Sequence, residues 1–211
     1  MVTNRCRTLI GLAVAAAALG ATERPASASL AGQEEQHSAK SCCTVHRAAD
    51  QDRVAVSEFD RRVAEYAALH RWLEGPLPPL QVSEDIRVVR AAMDALASAL
   101  RRARTNARQA DIFTPAVALA FRARIAACVP PEEMAAILSE REEADPRVVP
   151  ALEVNMRWPD GMPFNFVPPQ LIAALPTLPP ELQYRIIGRS LVLWDPHADI
   201  IVDFLTGAFT S

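Results

Sequence analysis

Three short apolar runs between Leu182 and Leu205, rich in β-branched and aromatic side chains, constrain this chain more than any other stretch. Gly188-Arg189-Ser190 separates the first run from the second, and Asp195-Pro196-His197-Ala198-Asp199 separates the second from the third. Alternating strand-formers and turn-formers at this spacing predict a small antiparallel meander over 182–205. Apolar residues fall on both of its faces (Ile186 and Ile187, Val192 and Leu193, Ile200 and Ile201), so helices are expected to cover at least one of them.

Helical periodicity occupies the middle of the chain. Phe59, Val63, Tyr66, Leu69/His70 and Leu73 recur at spacings of three and four, which predicts a helix from about Val56 to Glu74, stopped by Gly75-Pro76. Ser83 is the expected cap of a second helix carrying Ile86, Val89, Met93, Leu96 and Leu100. Thr114-Pro115 opens a third, running to Cys128, and Glu132-Glu133 start a fourth that ends near Asp145. The basic part, Arg87 to Arg124, and the acidic part, Glu132 to Asp145, read either as two solvated helix faces or as an anion-binding groove, the first being the simpler. Leu152, Val154, Met156 and Trp158 alternate with polar residues and predict a half-buried strand. A second short strand is expected at Phe164–Val167 and a brief helix from Pro168 to Leu175. The expected fold is therefore α+β, with a helical body of about four helices over 54–145, a strand and Pro-rich hinge over 146–181, and the C-terminal meander. These form one domain, 54–211.

The N-terminus reads as an export signal. Arg5 and Arg7 precede the uncharged, mostly apolar stretch Thr8 to Ala21, and Ala26-Ser27-Ala28 offers small residues ahead of Ser29. A signal peptide over 1–28, cleaved at the Ala26, Ala28 and Ser29 site, is expected, with the membrane met only during export. The apolar stretch falls short of the roughly 20 residues needed to span hydrocarbon. Mass spectrometry of the mature protein should then find Ser29 or a residue close by at its N-terminus, and an intact Met1 would contradict this. Residues 29–53 are polar and small without hydrophobic period, and read as a disordered tether.

Charge narrows the partners. The 211 residues carry a formal net charge of -3. Three arginines against one glutamate give the leader +2, which leaves the rest at -5. An acidic body is poorly suited to neutralising phosphates, so nucleic acid is not an expected partner. An envelope protein or a small ligand is.

Of the four cysteines, Cys6 lies in the leader, leaving Cys42, Cys43 and Cys128 in an oxidising compartment. One disulfide from Cys42 or Cys43 to Cys128 is one reading. A soft-metal site at Cys42, Cys43 and His46, with His37 nearby, is another, and unpaired or intermolecular thiols are a third. Asp195, His197, Asp199 and Asp203 are the other acid and histidine cluster. As chemistry, Asp195, His197 and Asp199 are candidates for a weak metal site or an acid/base pair. As structure, they are a turn with His197 at its exposed tip. His70 reads as a packed helix residue. No phosphate loop, nucleophile elbow, zinc-protease helix or dinucleotide fingerprint is present, and no cofactor is expected.

The segment Tyr184-Arg185-Ile186-Ile187-Gly188-Arg189, Leu191 to Pro196 and Ile201 to Leu205, with the helix carrying Tyr66, Leu69, His70 and Arg71, resembles uncharacterised exported bacterial proteins. The strand, Asp-Pro turn and strand are also similar to the C-terminal hairpin of periplasmic nickel/cobalt-homeostasis proteins. These resemblances imply export and carry over no ligand residues. A periplasmic or secreted, non-enzymatic interaction protein is the first expectation, a metal-responsive or metal-binding envelope protein the second, and an enzyme of unrecognised class the third.

Overall fold

The computed structural model describes residues 31–78, 84–130, 132, 134, 151–159 and 167–209, with side chains from Arg47 onward. The fold is α+β. Among the described residues it comprises α1 (Ala31–Glu74), α2 (Ile86–Ala103), α3 (Pro115–Cys128), the short α4 (Pro169–Ala174), and three strands. The strands are β1 (Gln183–Ile187), β2 (Ser190–Asp195) and β3 (Ile200–Leu205). The chain divides into two units between Cys43 and Thr44, and the sheet, the core and the site described below lie in the second. No described helix is long and apolar enough to cross a membrane.

Helix α1 begins at Ala31 rather than near Val56, and so includes the stretch read from sequence as a tether. That stretch has no apolar stripe, but it contains no proline, has glycine only at Gly32, and about half of it is Ala, Gln, Glu, Arg or Lys. Such residues lose little on entering a helix. From Ala55 on, the apolar stripe takes over: Phe59, Val63, Tyr66, Ala67 and His70 are all buried. Helix α2 is capped by Asp85, whose carboxylate accepts the Arg87 N–H at 2.9 Å. Ser83, the expected cap, lies outside the described residues. Helix α3 has Thr114 as its N-cap and Pro115 in its first turn, as the sequence predicts. The expected helix from Glu132 to Asp145 and the strand at Phe164–Val167 lie almost wholly outside the described residues.

The sheet is a meander in the order β1-β2-β3, antiparallel throughout. Ile187 pairs with Ser190 across a two-residue loop. Gly188 there adopts φ 53, which a residue without Cβ takes at little cost. One face, with Tyr184, Ile186, Leu191, Leu193, Ile200 and Val202, joins the main core with α1, α2 and α3. The other, with Ile187, Val192, Trp194, Ile201 and Phe204, is closed by Trp158 and by Leu152, Val154 and Met156.

Residues 152–158 do not form the expected strand. Asn155 adopts φ 66, a left-handed conformation that breaks the extended run into a turn. The segment still caps the edge of β3: Asn155 N–H donates to Ile201 O, Ile201 N–H to Met156 O, and Arg157 bridges Ile200. Arg104 holds that turn in place. Its guanidinium reaches Asn155 Oδ1 at 2.7 Å and Val202 O at 2.9 Å, and lies 5.0 Å from the Tyr66 ring centroid. Arg122 donates to the Thr206 and Gly207 carbonyls, and Arg124 binds Asp52 through two nitrogens. These members of the basic part are therefore structural ties rather than a free solvated face.

A β-bulge sets the inward chemistry of β3. Leu193 pairs with Asp203 and Trp194 with Ile201, so Val202 is skipped. Residues opposite one another share a face, so the shift places Asp203 beside Leu193 on the helical side. There it accepts hydrogen bonds from the backbone N–H of Ala110, Ile112 and Phe113, fixing the connection between α2 and α3.

Candidate metal centre

The end of α1 meets the turn between β2 and β3 at a cluster of five ionisable side chains, Tyr66, His70, Glu74, Asp195 and His197. Tyr66, His70 and Glu74 succeed one another at four-residue steps, which stacks them along one helix face. Asp195 closes β2 on the same sheet face as Leu193, and so points at that stack. Its carboxylate is fully buried, accepts three hydrogen bonds and lies within hydrogen-bond distance of the His70 ring. Oδ2 accepts from Tyr66 OH at 2.6 Å and lies 2.7 Å from His70 Nδ1. Oδ1 accepts the backbone N–H of His197 at 2.9 Å and of Ala198 at 3.0 Å. These donors make burial of the charge tolerable and shape the turn that carries His197.

The far side of the His70 ring faces two more ligating groups. His70 Nε2 lies 3.3 Å from Glu74 Oε2, and His197 Nδ1 lies 3.1 Å from Glu74 Oε1. One ligand atom from each of His70, Glu74 and His197 falls within 4.8 Å of the others. His70 Nε2 is buried and makes no hydrogen bond despite its approach to Glu74. An ion with bonds of about 2.0–2.2 Å holds tetrahedral ligands about 3.3–3.6 Å apart, so the separations need to close by no more than about 1.5 Å to hold a cation.

Burial works against a charged His70 ring, but the Asp195 hydrogen bond and the negative charges of Asp195, Glu74 and Glu181 outweigh it and raise its pKa. The same negative field attracts a cation. Burial, followed by the charge and hydrogen bond of Asp195, pushes the Tyr66 hydroxyl well above its ordinary value. Tyr66 therefore stays protonated and donates to Asp195.

The structure redistributes the residues singled out in the sequence. Asp195 is buried behind His70 rather than beside His197 Nδ1. Asp199 points away, accepting from Trp194 Nε1 at 3.3 Å and pairing with Arg157 Nε at 3.3 Å. His197 is half-buried against Glu74 and not at an exposed tip. Asp203 serves the α2–α3 connection. Cys128 is exposed and free, while the side chains of Cys42, Cys43, His46 and His37, and all of Ala26, Ala28 and Ser29, lie outside the described residues. Glu74 carries no motif in the sequence, and His70, expected as a packed helix residue, is buried but faces Asp195 and Glu74. The available signal was the four-residue spacing of His70 and Glu74 at the end of an otherwise apolar stripe.

No protein-family model, curated protein or solved structure matches this chain.

Proposed function

We propose that this is an exported, non-enzymatic protein that holds a divalent transition-metal ion between the end of α1 and the β2–β3 turn. The observation that carries the reading is the convergence of His70 Nε2, the Glu74 carboxylate and His197 Nδ1, backed by Asp195 on the far side of the His70 ring. Two imidazole nitrogens and one carboxylate suit Zn²⁺, Co²⁺, Ni²⁺ or Cu²⁺ better than Ca²⁺ or Mg²⁺, which prefer oxygen. Three protein ligands leave a position for water, an arrangement often found in catalytic zinc sites. The adjoining cavity argues for holding rather than turnover. Lined by Glu74, Leu77, Pro78, Ala92, Leu96 and His197, it measures about 10 Å³, the space of about one water. Export rests on the Arg5 to Ser29 leader.

Titration calorimetry of the purified protein with Zn²⁺, Co²⁺, Ni²⁺ and Cu²⁺ tests the reading. At least one ion should bind one to one, and Glu74→Gln, at a half-buried position, should weaken that binding at least about tenfold while leaving the fold intact. Absence of binding by all four ions, or unaltered affinity in Glu74→Gln, would overturn it.

A further inference from the structure

We infer that Asp195 acts as a positioning residue that fixes the tautomer of His70, keeping the Nε2 lone pair open toward Glu74 and His197. The inference rests on the metal-holding reading and adds how the site is kept ready for a cation. Its basis is the division of labour between the two oxygens of Asp195. Oδ1 takes the backbone N–H groups of His197 and Ala198, which can only donate. Oδ2 faces Tyr66 OH and His70 Nδ1. An ionised carboxylate accepts only, so the proton of a neutral His70 ring must sit on Nδ1. Nε2 is then the free lone pair, and it is the buried nitrogen without a hydrogen bond. A carboxylate behind a ligating imidazole fixes ring orientation and raises ligand basicity, and its loss typically costs about 10–100-fold in metal affinity.

The same geometry makes Asp195→Asn a sharp test. The two backbone donors compel the new amide to turn its carbonyl oxygen toward them, which leaves its NH₂ facing Tyr66 and His70. A donor opposite Nδ1 turns that nitrogen into an acceptor and moves the ring proton to Nε2. Glu74 Oε2, 3.3 Å away, is placed to accept it. The near-isosteric variant thus keeps partners for its hydrogen-bonding groups, yet covers the atom that would bind the ion.

Ring ¹⁵N spectra of the metal-free proteins, at a pH where the imidazole is neutral, read the tautomer directly. The wild type should carry its His70 proton on Nδ1 and Asp195→Asn on Nε2. Metal affinity, measured by the same calorimetry, should fall about 10–100-fold in Asp195→Asn. In Tyr66→Phe, which leaves the carboxylate in place, it should stay within a few-fold of wild type. A wild-type ring with bare Nδ1, an Asp195→Asn ring still protonated there, or an equal loss in Tyr66→Phe would overturn the inference. A wild type that binds no metal removes the metal-holding reading, while the ring spectra still decide the tautomer. If Asp195→Asn does not fold, the wild-type spectrum decides alone.

Discussion

Asp203→Ala is expected to destabilise the protein by about 3–5 kcal/mol, the cost of leaving several buried backbone donors without an acceptor, read as a lowered urea midpoint with the slope preserved. The Asp203 carboxylate is fully buried and receives Ala110 N–H at 3.0 Å, Ile112 N–H at 2.7 Å, and Phe113 and Phe204 N–H at 2.8 Å each. Burial raises its pKa while these donors work against the rise, so the group is strained by desolvation and held by hydrogen bonds. Alanine leaves the donors of the α2–α3 connection without acceptors, and each orphaned buried N–H costs about 1–3 kcal/mol before water recovers part of it. The connection also carries Ala110 at φ 71, a conformation that an L-residue adopts at a cost of about 1–2 kcal/mol and that Asp203 helps to hold. A loss below about 1 kcal/mol would mean that packing of Ile112 and Phe113 alone keeps the connection in place.

Phe59→Ala should cost a similar amount, about 3–5 kcal/mol. The ring is fully buried, with centroids 4.8 Å from Phe121, 5.8 Å from Phe113 and 6.4 Å from Tyr184. It therefore joins α1 to α3, to the connection between α2 and α3, and to β1. Three aromatic neighbours drawn from separate elements cannot all move inward, so truncation leaves a cavity in addition to the lost transfer energy. Thermal or urea unfolding reads the effect. A cost under about 1.5 kcal/mol would show that the main core collapses around the gap.

The two variants probe different parts of what a sequence makes legible. The strands at 183–187, 190–195 and 200–205 could be read directly, because strand-formers, Gly188 and Asp195-Pro196 all act within a few residues of themselves. The Phe59 stripe could be read for the same reason: helical periodicity is local. Asp203 could not be assigned its role, since its direction depends on the skipped Val202, and a bulge is settled by pairing rather than by composition. Asn155 hid in a similar way. The alternation of Leu152, Val154, Met156 and Trp158 is that of a strand, but left-handed backbone at one residue turns the segment into an edge cover, and the alternate apolar residues still reach the second core. The N-terminal part of α1 escaped because helix propensity, unlike amphipathicity, leaves no periodic mark.

The centre itself was half visible. Asp195 and His197 stood out as a turn with ionisable groups, and their placement beside α1 is a tertiary event between residues more than 120 positions apart. Once the sheet packs on α1, the four-residue ladder of Tyr66, His70 and Glu74 supplies the rest: a hydroxyl on Asp195, a ring between two carboxylates, and a carboxylate between two rings.

Anomalous diffraction from crystals grown with saturating Zn²⁺, recorded on both sides of the zinc absorption edge, tests the centre most directly. A peak is expected about 2.0–2.2 Å from His70 Nε2, a Glu74 oxygen and His197 Nδ1, with Asp195 still bonded to His70 Nδ1. Zinc found only beside Cys42, Cys43 and His46, or no peak among His70, Glu74 and His197, would contradict it.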